Sequence, residues 1–234
     1  MLIEECRKRE IVDKDNLYFL NIYKNGGRVI QDRIINRVSS SLNGIPIETQ
    51  NKGWAPVTDS TYIVSAMRHP VLRTVSHYFE IKKNKTGNIS DVSINEFAAW
   101  FDQNIDALSN YQLKNMFYDK ASDNNFLIDE EFKSLQLPGK MSEVKSKMRR
   151  FDAIFRIDNV RRETLIGVST DILNSFNREL IPSNIPKIEY NQNIYSRHFA
   201  LAMPEKIKKE IELVNETEMN IYETDSFFSK FVIQ

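Results

Sequence analysis

The sequence predicts an α/β fold in which a central parallel sheet is flanked by helices. Three observations support this prediction. Short apolar runs rich in aromatic and β-branched residues alternate with amphipathic segments along the chain. A glycine pair follows the first run, and an arginine and a proline follow the second. Strand, turn, helix, strand and helix follow one another in the order that crossovers in a parallel sheet require.

Length and composition suit a single domain of ordinary size. The chain has 234 residues, 41% of them hydrophobic, and its 32 Lys and Arg balance its 32 Asp and Glu. We predict a polar N-terminal arm over residues 1–15 and one domain over residues 16–234. The balanced charge argues against a nucleic-acid partner held by bulk electrostatics. The single cysteine excludes an internal disulfide.

The first strand and helix are predicted from their patterns. Residues 17–23 form a short apolar run that is typical of a buried strand. Residues 29–42 carry apolar side chains at helical spacing, and Asn43 and Gly44 provide the stop. Residues 45–60 contain two prolines, so we expect a loop there.

The second strand is predicted over residues 61–67, where Thr-Tyr-Ile-Val-Ser-Ala-Met is almost entirely apolar or β-branched. Arg68-His69-Pro70 ends it, because a residue before proline is pushed out of helical conformation. Pro70 then suits the first turn of a helix running through Phe79. Residues 82–90 are expected to form a charged loop.

Capping and periodicity predict the later elements. Ser93 and Glu96 form a capping box at the start of a helix over residues 93–104. A third strand is expected over residues 151–157. The remaining predicted elements are helices over residues 163–176, 204–215 and 218–231, and a loop rich in proline and asparagine over residues 181–193.

The turn after the first strand has the composition of an anion-binding turn. Lys24-Asn25-Gly26-Gly27 combines a cation with paired glycines, which let backbone N–H groups approach an anion, and a helix N-terminus follows. The turn is not a Walker A loop, because its lysine precedes the glycines and no Ser or Thr follows them. An ordinary Asn-Gly turn is the alternative interpretation.

The end of the second strand carries a second set of anion-binding groups. Arg68 follows the strand, and Ser76 lies two turns into the next helix. A guanidinium and a hydroxyl placed in this way are suited to share one phosphate. Ligands of parallel sheets bind at the carboxyl ends of the strands, so Lys24 and Arg68 suit one ligand with two anionic groups.

Together the two segments resemble the sulfotransferase superfamily, in particular the carbohydrate sulfotransferases of the heparan 2-O type. The family's loop P-K-x-G-G-[ST]-[ST] is matched in part by Tyr23-Lys24-Asn25-Gly26-Gly27-Arg28-Val29. Its segment R-[DH]-P-x-x-R-x-x-S-x-[YF] is matched at every marked position by residues 68–78. Weaker similarities extend the resemblance over about residues 16–231, namely Asn110-Tyr111-Gln112, Phe151-Asp152-Ala153-Ile154 and the segment 215–222.

The resemblance implies a P-loop-like three-layer fold, the donor 3′-phosphoadenosine 5′-phosphosulfate (PAPS) and a hydroxyl acceptor, most simply a carbohydrate. Lys24 would act on the bridging oxygen, and backbone groups of Asn25 to Val29 would hold the 5′-phosphate. Arg68 and Ser76 would hold the 3′-phosphate. Tyr195 and Ser196 lie where the family closes a lid over the cofactor, and no metal is required.

The chain departs from the family at two places. Arg28 and Val29 stand where hydroxyl residues are usual. Trp54 stands where the family often has a catalytic histidine, and an indole cannot accept a proton. We therefore consider Asp59 as the first candidate base and Glu48 as the second, with a solvated loop acid as the alternative for each.

Two other functions remain open at this stage. One is a non-catalytic nucleotide-binding protein of the same fold, and the other is a nucleotide kinase. The N-terminus is too charged for a signal peptide, and no apolar run reaches the roughly 20 residues of a membrane helix. We expect a cytoplasmic protein of bacterial or viral type without a membrane span, or alternatively a soluble fragment of a Golgi-type enzyme. Oligomeric state is left open.

Overall fold

The computed structural model describes residues 14–25, 30–50, 57–89, 91–118, 127, 129–158, 162–178 and 194–224. Most of the predicted N-terminal arm, the predicted loop over residues 181–193 and the end of the last predicted helix lie outside these residues. So do Gly26, Gly27, Arg28, Val29 and Trp54.

Within the described segments, four parallel strands form the sheet. They are β1 (Asn16–Leu20), β2 (Ile47–Gln50), β3 (Thr61–Met67) and β4 (Ala153–Arg156), in the spatial order β2-β1-β3-β4. Leu17 pairs with Ile47 on one side and with Tyr62 on the other. The predicted α/β fold with a parallel central sheet is thereby confirmed.

The strand order reverses between β1 and β3. The chain passes from β1 to β2 on one side and then returns to β3 on the other side of β1. Such a reversal opens a crevice between the carboxyl ends of the two central strands, where open α/β sheets bind ligands. Lys24 follows β1 and Arg68 follows β3, so both lie at this edge.

Alternate side chains of the strands enter two separate cores. Leu17, Phe19 and Val64 belong to one core, together with the helices that follow β1 and β4. Tyr18, Leu20 and Ile63 belong to the other core, on the opposite face of the sheet. Because apolar side chains alternate between the two faces of the sheet, both faces are covered by helices.

The described helices follow the chain in this order. A π-helical turn (Gln31–Ile35) continues into α1 (Asn36–Ser41), and α2 (Pro70–Thr86) follows β3. The others are α3 (Ile94–Gln103), α4 (Ile105–Leu108), α5 (Tyr111–Phe117), α6 (Glu130–Ser134), α7 (Met141–Met148), α8 (Arg162–Asn174), α9 (Ile194–Ala202), α10 (Glu205–Val214) and α11 (Glu216–Glu223). No helix among the described residues is long and apolar enough to cross a membrane.

Two predicted loops are wrong at their boundaries. Residues 47–50, expected to be loop, form the edge strand β2, and the carbonyl of Pro46 accepts a hydrogen bond from Leu17 N at 3.0 Å. An edge position tolerates the nearby proline. The helix α2 extends to Thr86 rather than Phe79, because Gly87 at φ 68° provides a left-handed C-cap after the lysine-rich last turns. The Ser93 cap of α3 is confirmed, since its side chain accepts from Glu96 N.

Candidate functional site

Lys24 lies in a constrained turn at the carboxyl end of β1. Its φ is 66°, a conformation that is uncommon for residues other than glycine. The neighbouring side chain of Asn25 is buried and donates from Nδ2 to the carbonyl of Ala66 at 2.8 Å. This bond ties the turn to the end of β3. The turn therefore has a defined position relative to both central strands.

The ammonium of Lys24 has a carboxylate neighbour that the sequence does not reveal. Lys24 Nζ lies 3.0 Å from Glu80 Oε2, on helix α2, and 4.9 Å from the centre of the Tyr23 ring. Burial, and next the charge of Glu80, raise the pKa of Tyr23 to about 12. Lys24 and Glu80 remain partly exposed, with 19% and 32% of their side chains accessible.

Arg68 brings the ends of β1 and β3 together. Its Nη1 donates to the carbonyl of Lys24 at 3.5 Å, and its Nε donates to Asp158 Oδ1 at 3.1 Å. Among the described residues, its Nη2 has no hydrogen-bond partner, and 22% of the side chain is accessible. Asp158 and the Lys24 carbonyl thus hold one side of the guanidinium, and another side is accessible to a ligand.

Asp158 is the group that orients Arg68. Its Oδ2 accepts from the backbone N–H of His69 and from the hydroxyl of Tyr222, the latter at 2.8 Å. Burial, and next the charge of Asp158, raise the pKa of Tyr222, which keeps the phenol a donor. The prediction of site residues missed Asp158. The sequence did contain an indication of it, because Asp158 directly follows the predicted strand over residues 151–157, just as Lys24 and Arg68 directly follow the first two predicted strands.

The backbone of Arg68 is held from the other side by Gln112. The side chain of Gln112 accepts from Arg68 N at 2.8 Å and donates to Arg68 O at 2.9 Å. Glu218 in turn accepts from Gln112 N and from Gln112 Nε2. The segments around residues 110–112 and 215–222, which resemble family segments only weakly, therefore meet behind Arg68.

Two buried groups on α2 support the site without reaching its surface. Arg73 is completely buried, donates to the carbonyl of Leu108 at 3.3 Å and lies over the ring of Tyr111. His77 is buried with its ring centre 4.9 Å from that of Tyr23. Burial, then the charges of Arg73 and Lys24, hold the pKa of His77 well below its usual range. The matched arginine at position 73 is therefore structural.

Ser76 is partly buried on the same face of α2 as Glu80, since four residues separate them. Because Glu80 contacts Lys24, this face is turned toward the end of β1. His69 caps the helix, with Nδ1 accepting from Val71 N at 3.3 Å. The structure thus gathers Lys24, Arg68 and the beginning of α2 at one edge.

Asp59 does not lie near this edge. It is exposed and precedes the first residue of β3, whereas Arg68 follows the last. A strand of seven residues spans roughly 20 Å, so Asp59 is on the opposite edge of the parallel sheet from Lys24. Its carbonyl accepts from Lys14 Nζ at 3.2 Å. Glu48 is exposed within the edge strand β2, opposite Tyr18.

Tyr195 and Ser196 belong to a helix rather than to a loop. Both lie in the first turn of α9, where Tyr195 is exposed and Ser196 is buried. The helix packs against α2 through contacts that include Phe79 and Phe199, whose ring centres are 5.3 Å apart. The segment before it, residues 191–193, lies outside the described residues.

Comparison of the chain with protein-family models and with curated proteins finds no match in either.

Proposed function

We propose that this protein binds PAPS at the carboxyl edge of a P-loop-like sheet and transfers the sulfuryl group to a hydroxyl, most simply of a carbohydrate. The observation that carries the proposal is the meeting of Lys24 and Arg68 at the strand-order reversal. Arg68 Nη1 lies 3.5 Å from the Lys24 carbonyl, although 44 residues separate the two along the chain. Two cations at such a crevice suit a nucleotide with phosphates at both ends.

The residues at this edge fit such a ligand. Arg68 offers Nη2, which no described residue occupies, and Asp158 fixes the plane of its guanidinium. A fixed guanidinium suits bidentate binding of a phosphate. Ser76 adds a hydroxyl from α2. We assign the 3′-phosphate to Arg68 and Ser76.

The opposite end of the ligand is assigned to Lys24. The donor, when bound, supplies a sulfuryl group carried on a phosphate leaving group. We infer that Lys24 neutralises the charge that develops on that phosphate, because a cation beside the leaving group accelerates group transfer. The exposure of its side chain leaves it accessible to a ligand.

Isothermal titration with 3′,5′-adenosine bisphosphate tests the binding site. We expect saturable binding of the bisphosphate and much weaker binding of adenosine 5′-monophosphate, which lacks the phosphate assigned to Arg68 and Ser76. No detectable heat of binding with millimolar bisphosphate would refute the proposal.

A second function, nucleotide binding without catalysis, is favoured by the place of Asp59. The acid expected to act as base lies on the opposite edge of the sheet from Lys24. This alternative predicts bisphosphate binding without sulfate transfer from radiolabelled PAPS to any of a panel of saccharides.

A further inference from the structure

We propose that Glu80 is the base that removes the proton from the acceptor hydroxyl. This inference rests on the proposed function and supplies the group that Asp59 cannot supply from its distant position. It assigns a catalytic role to a residue of α2 that no sequence motif of the site includes.

The first argument is that Glu80 contacts Lys24, the cation assigned to the end of the donor that carries the sulfuryl group. Glu80 Oε2 lies 3.0 Å from Lys24 Nζ, the group assigned to the leaving phosphate. Ser76, assigned to the 3′-phosphate, lies one helical turn before Glu80 on the same face of α2. A single helix face therefore carries a phosphate-binding hydroxyl and, one turn later, a carboxylate beside the transfer point.

The second argument is accessibility. About a third of the Glu80 side chain is exposed, at 32%, so an acceptor can approach it from solvent. Asp158 is only 7% exposed and already accepts from Arg68, His69 and Tyr222. Glu218 is completely buried, and burial raises its pKa. Neither of these neighbouring acids can meet an incoming hydroxyl.

The proposed step is balanced. The acceptor oxygen attacks sulfur and forms the new O–S bond, while its proton passes to a carboxylate oxygen of Glu80. The S–O bond to the donor phosphate breaks, and its electron pair leaves with 3′,5′-adenosine bisphosphate. Lys24 moves its ammonium from Glu80 to the anionic donor on binding, which leaves the carboxylate as an acceptor for the proton.

The test compares Glu80→Gln, Glu80→Asp and the control Glu96→Gln. Gln keeps the shape of Glu80 without its basicity, and Asp keeps the basicity on a shorter side chain. Glu96 is a matched control because its carboxylate pairs with Lys82, two residues beyond Glu80 on α2. Each variant is assayed for bisphosphate binding and for transfer of radiolabelled sulfate from PAPS to a saccharide panel and to water.

We expect Glu80→Gln to lose at least about 100-fold in transfer rate, the usual contribution of a general base. Its bisphosphate dissociation constant should change less than about fivefold, because an ion pair this exposed contributes little. Glu80→Asp should retain part of the rate, and Glu96→Gln all of it. Retained binding also shows that the Gln variant is folded.

Three results would overturn the inference, and they differ in what they say of the proposed function. Transfer by Glu80→Gln at the wild-type rate leaves the sulfotransferase proposal standing and removes Glu80 from it. A wild-type protein that binds the bisphosphate but transfers sulfate to no acceptor supports the non-catalytic alternative. A wild-type protein that does not bind the bisphosphate refutes both proposals.

Discussion

Arg68 has a fixed orientation as well as a charge. Asp158 holds its Nε, and Gln112 holds both its backbone N–H and its carbonyl. A guanidinium held in this way presents its remaining donors in one plane, whereas the ammonium of a lysine is a point charge on a flexible stem. At the scale of single residues, the candidate site therefore contains a planar cation in a fixed position.

Replacement of Arg68 by lysine tests whether the planar guanidinium, and not only its charge, is needed for binding. Arg68→Lys keeps the charge and loses the planar pair of donors, so we expect bisphosphate affinity to fall by about 10-fold or more, as for lost charge-assisted hydrogen bonds. Isothermal titration provides the measurement. Arg178→Lys, at an exposed position, is the control and should bind as the wild type does. Equal affinities of the two variants would contradict the assignment of Arg68.

His77 predicts a pH dependence of folding stability. The pKa of His77 is held well below its ordinary value of 6.5, chiefly by burial. Below about pH 6.5 the unfolded chain therefore binds a proton that the folded chain excludes. The free energy of unfolding should fall by about 1.4 kcal/mol for each pH unit below that point.

Urea unfolding at about pH 7 and about pH 5 measures this dependence. His77→Gln removes the titrating group, so its stability should fall less between the two pH values than that of the wild type. The comparison concerns the pH dependence and not the absolute stability, which the substitution also changes. Parallel losses in the two proteins would show that His77 does not exclude the proton.

At the scale of elements, α11, the last helix that the structure describes, holds the residues that contact Arg68. Its Glu218 binds Gln112, and its Tyr222 binds Asp158. Gln112 and Asp158 each bind Arg68 directly. A helix at the far end of the chain therefore positions a side chain that follows β3.

Tyr222→Phe tests this support, because it removes one hydroxyl and keeps the ring. We expect a loss of about 1 kcal/mol in stability, as for a typical hydrogen bond, together with a measurable loss of bisphosphate affinity. Tyr118→Phe is a matched control, since the Tyr118 hydroxyl donates to the carbonyl of Gln136 and, in the part of the chain that the structure describes, to none of the site residues. It should lower stability without changing the affinity. Loss of affinity in both variants, or in neither, would contradict a specific role for Tyr222.

The accuracy of the sequence predictions differed with the physical signal of each element. The buried run of β3 and the Ser93 cap of α3 carry strong local signals, and both are confirmed. β2 has only four residues beside Pro46, and its pairing with β1 is a long-range property. The last turns of α2 are polar, because they lie in solvent while the apolar face of the helix covers the sheet.

The prediction of the candidate site was limited in the same way, because local patterns could be recognised and long-range contacts could not. Lys24 and Arg68 were predicted to lie at one edge because each follows a strand in a recognisable pattern, and the sheet does bring them together. The sequence prediction did not include Glu80 and Asp158, because it is contacts with residues distant in sequence that bring them to this edge. Asp59 was considered as a base beside Lys24, but it precedes β3 whereas Lys24 follows β1. A loop before a strand and a turn after a strand lie at opposite edges of a parallel sheet.

At the scale of the whole molecule, the site joins structure on both sides of the reversal in the sheet. β1 and β3 each contribute side chains to both cores. A ligand that binds the ends of both strands is therefore expected to stabilise the folded chain as a whole. Binding to the folded state alone shifts the unfolding equilibrium by mass action.

The bisphosphate should raise the melting temperature. At about 100 times the dissociation constant, binding contributes about 2.7 kcal/mol. For a chain of this size, we expect a rise of about 5 to 10 °C by differential scanning fluorimetry. Adenosine 5′-monophosphate at the same concentration should have a much smaller effect, and so should the bisphosphate on Arg68→Lys. An equal rise in melting temperature with both nucleotides would contradict the proposal that the 3′-phosphate contributes to binding.

Asp158 also determines when the site becomes complete during protein synthesis. The carboxylate joins Arg68 and His69 to Tyr222, so its donors leave the ribosome at widely separated times. A nascent chain acquires the ends of β1 and β3 early, but the tyrosine that completes the arrangement around Asp158 emerges only with α11. A growing chain therefore contains Lys24, Arg68 and Asp158 before it contains the tyrosine that binds Asp158, so the hydrogen-bond network around Arg68 is completed only after Tyr222 has been synthesised.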